Sequence, residues 1–195
     1  MRRATTIGFV LTVACIASGA LGGPMAIADE SAALDVSVAV FDPGVPEDLA
    51  LQRDLQVFPR IRQVEAKLLP FVLRDALENA GGWGAVRVVP EPDREAELLV
   101  TGTIRRSDGE ALVLDIRAVD ATGRVWLDRP VAGVPGEAAL FESIAAELVV
   151  ARDALEPATR ERIAETSLLR YAVWLAPTAF GDFLEENDDG RIELR

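Results

Sequence analysis

The side chains able to do chemistry in this sequence are carboxylates and little else. It carries 32 aspartates and glutamates, one cysteine and no histidine. Without histidine, Ser-His and Cys-His nucleophile pairs and histidine-ligated zinc sites are excluded. No P-loop, no G-x-G-x-x-G after a strand and no G-x-S-x-G elbow occurs. Paired carboxylates alone can run glycoside hydrolysis, which needs an acid and a base or nucleophile at a set separation. Most of the acids here fall on polar faces of predicted elements, where solvated surface accounts for them, and the spacing singles out no pair. Residues 185–190 echo a calcium loop, with Glu185, Asn187, Asp189 and Gly190 at relative positions 1, 3, 5 and 6. Position 1 should be aspartate, and nothing in the sequence fills the bidentate position 12. A polar turn is the simpler reading, and no metal or cofactor is expected.

Recognition chemistry is the remaining candidate. Tryptophan is favoured at interfaces because it buries much area and keeps a polar handle. Trp83 follows Gly81-Gly82 and is a candidate exposed contact, whereas Trp126 reads first as core; Tyr171 and Trp174 fall on the last predicted helix. The loop from Asp42 to Pro59, with Phe58 near its end, is long for a compact domain, and such loops often carry function. Asp42, Phe58 and Trp83 are therefore the candidate partner-binding residues. The formal charge of −12 repels phosphate backbones and anionic lipid, so no nucleic-acid partner is expected.

The elements that must position these residues begin after an export signal. Arg2 and Arg3 precede an apolar run from Ile7 to Leu21, and Ala26-Ile27-Ala28 forms an A-x-A site before Asp29. Cleavage after Ala28 is expected, leaving a chain with net charge −14, because residues 1–28 carry two arginines and no acid. The alternative is lipidation at Cys15. A lipobox wants an aliphatic residue three positions earlier, and Thr12 stands there, with Leu11 one step too early. A membrane contact is therefore expected only through such an anchor.

Residues 34–41 (LDVSVAVF) alternate as a half-buried strand and end at Asp42-Pro43-Gly44. The loop that follows has room for one helical turn. A helix is predicted from about Arg60 to Ala80, with Ile61, Val64, Leu68, Phe71, Val72 and Ala76 forming its buried face, and with a kink or break at Pro70. Residues 85–89 form a second strand. Residues 97–131 read as a three-stranded meander turning at Ser107-Asp108-Gly109-Glu110 and Asp120-Ala121-Thr122-Gly123. Two helices follow, over about 137–154 and 156–175. The closing "RIELR" looks like a strand with no partner left in the chain.

The order of these elements resembles the small α/β domain of bacterial envelope proteins. Examples are the amino-terminal domain of the Tol translocation protein, the curli secretion lipoprotein, and the lipoprotein activators of penicillin-binding proteins. The segments that carry it are Ala39-Val40-Phe41, Val100-Thr101-Gly102-Thr103-Ile104 and Asp120-Ala121-Thr122-Gly123-Arg124-Val125. The resemblance covers about residues 34–135 and implies an α/β (α+β) fold: a mixed sheet of about five strands with a β-meander, packed by a long helix and C-terminal helices. It implies no shared catalytic residue. The expected organisation is a signal peptide over 1–28, an α/β envelope domain over 34–135 and a helical extension over 137–195. The expected function is that of an exported, non-enzymatic interaction or assembly module, in the periplasm or at the outer membrane, with an envelope protein as partner. The alternatives are a periplasmic small-ligand binding module and a carboxylate-only hydrolase.

Overall fold

The computed structural model describes residues 33–93, 95–136, 138–187 and 191–194. The signal segment with Cys15 and Ala28 lies outside them, as do Asp189 and Gly190 of the calcium-like loop.

The fold is α/β. Five strands form one mixed sheet: β1 (Val36–Ala39), β2 (Val86–Val89), β3 (Leu98–Ser107), β4 (Leu112–Asp120) and β5 (Val125–Gly133), in the order β2-β1-β3-β4-β5. β1 runs parallel to both neighbours, and β3-β4-β5 is the antiparallel meander. Gly109 and Gly123 hold positive φ at its two turns, a conformation that costs glycine nothing.

Alternation decides what each sheet face does. Val36, Val38, Leu98, Val100, Ile104, Leu114, Ile116 and Ala118 all point to one side and are buried. The long helix α2 (Pro59–Ala80) and α3 (Ala139–Asp153) cover that side. Ala66, Leu73 and Leu77 come from α2, and Leu140, Phe141, Ile144 and Leu148 from α3. The opposite side carries Thr101, Thr103 and the ion pairs Arg105–Asp115 and Arg117–Asp128. α3 thus shares one apolar core with the sheet and α2. A smaller cluster of Leu34, Ala121, Leu155 and Ile163 seats the beginning of α4 (Pro157–Leu175). The later part of α4 turns Leu168, Tyr171, Trp174 and Leu175 outward.

One local outcome matches the sequence expectation and two differ from it. The helical turn in the first loop is α1 (Leu49–Asp54), capped by Asp48, whose Oδ1 accepts the Ala50 amide at 2.7 Å. α2 continues through Pro70 without breaking. The closing strand does have a partner: β7 (Ile192–Leu194) pairs with β6 (Leu184–Glu186), just upstream, and follows the short helix α5 (Pro177–Phe180) and one 3₁₀ turn. The Ile192 amide also donates to Thr122 O at 3.0 Å, which ties this hairpin to the β4–β5 turn.

Candidate functional site: the outer face of helix α2

The apolar face that the sequence assigns to the core is mostly on the outside. Ile61, Val64, Leu68 and Phe71 are 56%, 64%, 58% and 43% exposed. The face that packs on the sheet keeps Ala76 of the expected residues and is otherwise Ala66, Leu73 and Leu77, joined by Arg62 and Pro70. The reason is distance. Ala66 and Ala76 let the helix approach the sheet closely, and large side chains there would hold it off. Two anchors fix the choice. The Arg62 guanidinium, itself buried, donates to Ile104 O at 3.2 Å. The Phe41 amide donates to Ala66 O at 3.0 Å.

The outward residues recur at steps of three, four and three, which makes a narrow seam along the helix. Phe58, at the helix start and 65% exposed, extends it toward α1. There it borders a cleft of about 390 Å³ with Leu49, Gln52, Gln56 and Val57. On the side facing α3 the seam falls into an apolar cleft of about 270 Å³, lined by Leu68, Leu69, Val72, Leu112, Pro135 and Phe141. An exposed apolar surface of this kind marks a protein interaction site or a ligand-binding groove.

The three residues named from sequence fare differently. Phe58 joins this surface. Asp42 is used by the chain itself: its amide donates to Gly102 O, its carbonyl accepts from Ile104 N, and its Oδ1 accepts the Gly44 amide at 2.7 Å. Trp83 is half-buried between the two apolar clusters, with its ring 6.4 Å from that of Trp126 and the Arg152 guanidinium 4.6 Å over it. Arg152 is held there by Gly81 O at 2.7 Å. These contacts account for Trp83 as packing.

A second cleft, of about 370 Å³, gathers Asp35, Asp93, Glu95 and Glu97 with Arg87 and Tyr171. Burial pushes the Glu97 carboxyl up, and a hydrogen bond with Asp93, followed by burial, raises Glu95. Raised carboxylates can serve as acids. Here, however, they hold the chain together. Glu97 Oε2 accepts the Asp35 amide at 2.7 Å, Asp35 accepts the Ala85 amide and pairs with Arg87, and Asp93 accepts the Glu95 amide. The cluster fastens the residues before β3 to the start of β1. Among the described residues, no group of three or more metal-ligating side chains is arranged to hold an ion, and no helix is long and apolar enough to cross a membrane.

No known family and no curated protein matches the chain. Among solved structures, it is similar to the PelC dodecamer from Paraburkholderia phytofirmans. The identity is 11%, the match covers 62% of this chain and 89% of that one, and the TM-score is 0.36. A point variant of the same dodecamer gives 12% identity, 63% and 90% coverage, and the same TM-score of 0.36.

Proposed function

We propose that this chain is an exported, non-enzymatic protein of the bacterial cell envelope that works as a protein–protein interaction or assembly module. The observation that carries this reading is the outer face of α2. Ile61, Val64, Leu68 and Phe71 stand in solvent on a helix whose other side is already anchored to the sheet. Large apolar side chains in water are a standing cost that a partner removes at ~25 cal/mol per Å² covered. The export part of the reading rests on the amino-terminal signal pattern and on the resemblance of residues 34–135 to envelope α/β domains.

The experiment is photo-cross-linking in a Gram-negative host. A photoreactive residue is placed at Leu68, and separately at Glu110 in the exposed β3–β4 turn, and the cells are fractionated. The expected result is export of the chain and a discrete cross-linked product at position 68 that is missing at 110 and lost when Val64→Glu is added. Retention in the cytosol would sink the envelope half of the proposal. The same products at both positions would sink the interaction half.

A further inference from the structure

We infer that the outer face of α2 takes one particular kind of partner: an amphipathic helix of another protein whose flanking residues are acidic. This rests on the interaction-module reading above and adds the chemistry of the partner. The seam residues Ile61, Val64, Leu68 and Phe71 take the a and d places of a heptad. The row beside them, at the g places, is Arg60, Lys67 and Arg74, basic at every heptad. Lys67 is the only lysine in the sequence. Arg60 and Lys67 are exposed and meet no carboxylate within ion-pair reach among the described residues. Arg74 pairs with Asp75 and lies 5.1 Å over the Phe71 ring. In a chain of net charge −12, a helix face bordered by two cations without a carboxylate partner, Arg60 and Lys67, is a local reversal of sign.

The opposite border carries no free charge to balance it. Of its e places, Val72 is apolar, and Glu65 is drawn inward, where Oε1 accepts the Ser107 hydroxyl at 2.7 Å and Oε2 lies 3.7 Å from Arg62. The seam ends where Asp75 takes the next a place. A helix laid along it would bury its own apolar residues on Leu68, Phe71 and the adjoining cleft. Its acids would meet Arg60 and Lys67.

Charge and width exclude the other occupants. Two copies packed antiparallel through this face would set the basic row against itself. Packed parallel, they would offer those cations only Val72 and the engaged Glu65. An anionic membrane wants a broad apolar arc and an overall positive protein. Here the seam is two residues wide and the chain is strongly acidic.

The test uses two labelled three-heptad helical peptides with leucine at a and d. One carries glutamate at e and g, the other lysine, and each is titrated with the purified chain. The glutamate peptide should bind at least ~10-fold tighter, and its affinity should fall with added salt. The double variant Arg60→Glu, Lys67→Glu should reverse the order, and Leu68→Glu should abolish binding of both; unchanged circular dichroism shows that these surface variants fold. Equal binding, no binding, or an unchanged order in the double variant overturns the inference. So does a dimer of the chain alone that Leu68→Glu dissociates, or flotation with phosphatidylglycerol vesicles that the double variant loses. A cross-link at Leu68 to a partner, without the glutamate preference, leaves the module reading standing and removes only the acidic helix. No cross-link at Leu68 removes both.

Discussion

The amide of Phe41, two residues past β1, hydrogen-bonds to the carbonyl of Ala66 in the middle of α2, at 3.0 Å. An interior helix carbonyl is ordinarily taken by the amide four residues on. Here that residue is Pro70, which has no amide to give. The proline leaves an acceptor on the buried side of the helix, and the sheet fills it.

Replacing Pro70 therefore should not bring the usual reward. A helix-interior proline costs ~3 kcal/mol relative to alanine. Pro70→Ala restores the helical donor and sets it in competition with Phe41 for one carbonyl. The variant is expected to gain far less than that figure in urea unfolding, and hydrogen exchange at the Phe41 amide should quicken. A full gain with unchanged Phe41 protection would show that the bond contributes nothing.

The two faces of α2 should respond oppositely to truncation. Leu73 is fully buried and Leu68 is 58% exposed. Leu73→Ala is expected to cost ~2–5 kcal/mol, the range for a core leucine. Leu68→Ala should stay within ~0.5 kcal/mol, as surface changes do. Denaturant midpoints of the two variants decide it, and a large loss at Leu68 would place that side chain inside.

Asp120 organises the β4–β5 turn from a buried position. Its Oδ1 accepts the Thr122 amide at 2.9 Å, the Thr122 hydroxyl at 2.6 Å and the Arg124 amide at 3.2 Å; its Oδ2 accepts Trp126 Nε1 at 2.8 Å. Asparagine keeps one acceptor oxygen and turns a donor toward another donor. Asp120→Asn is expected to lose ~1–3 kcal/mol, the cost of leaving a buried polar group unpaired, and to shift the tryptophan emission. Asp120→Glu, which keeps both oxygens but displaces them, should not restore that emission.

Acid should act on two carboxylates in opposite directions. The Ala111 amide, then the Arg106 guanidinium and the Glu110 amide, hold Asp108 down at about 2. Its contribution to the β3–β4 turn is present above the unfolded value and lost as pH falls through about 2. Burial holds Glu97 above the ordinary range, so its protonated form favours the folded state. That contribution is complete below the unfolded value and lost as pH rises through the raised one. The advantage of Glu97→Gln over the parent chain, measured by thermal melting, should shrink as pH falls from ~7 to ~4. An advantage independent of pH would leave Glu97 untitrated by folding.

The meander was legible because its evidence is local. Gly109 and Gly123 sit where the turns need positive φ, and the β4 residues alternate strictly between them. The side that α2 buries was not legible. Ile61, Val64, Leu68 and Phe71 obey the same helical spacing as the true core face and are larger. The contrary signal is Ala66, a small residue that permits close approach, and its meaning depends on a sheet that the sequence does not display. The β6 strand was missed because three residues ending in two acids resemble a loop until Ile192–Leu194 lie beside them. At the candidate site, Phe58 stands out in the sequence because it ends a long loop. The seam is not legible there because its spacing and size read as interior.

A helix with two apolar faces has two ways of lying on a sheet, related by roughly half a turn about its axis. Hydrophobicity alone prefers the wrong one, since the outward residues are the greasier. What decides between them is the close approach that Ala66 permits, together with two polar anchors: the carbonyl that Pro70 leaves to Phe41 and the guanidinium of Arg62 reaching Ile104 O. The small Ala66, the buried Leu73 and Leu77 and these two hydrogen bonds together hold the helix in its native rotation. Each anchor therefore also keeps the seam on display, because a helix turned over on the sheet would hide it from any partner.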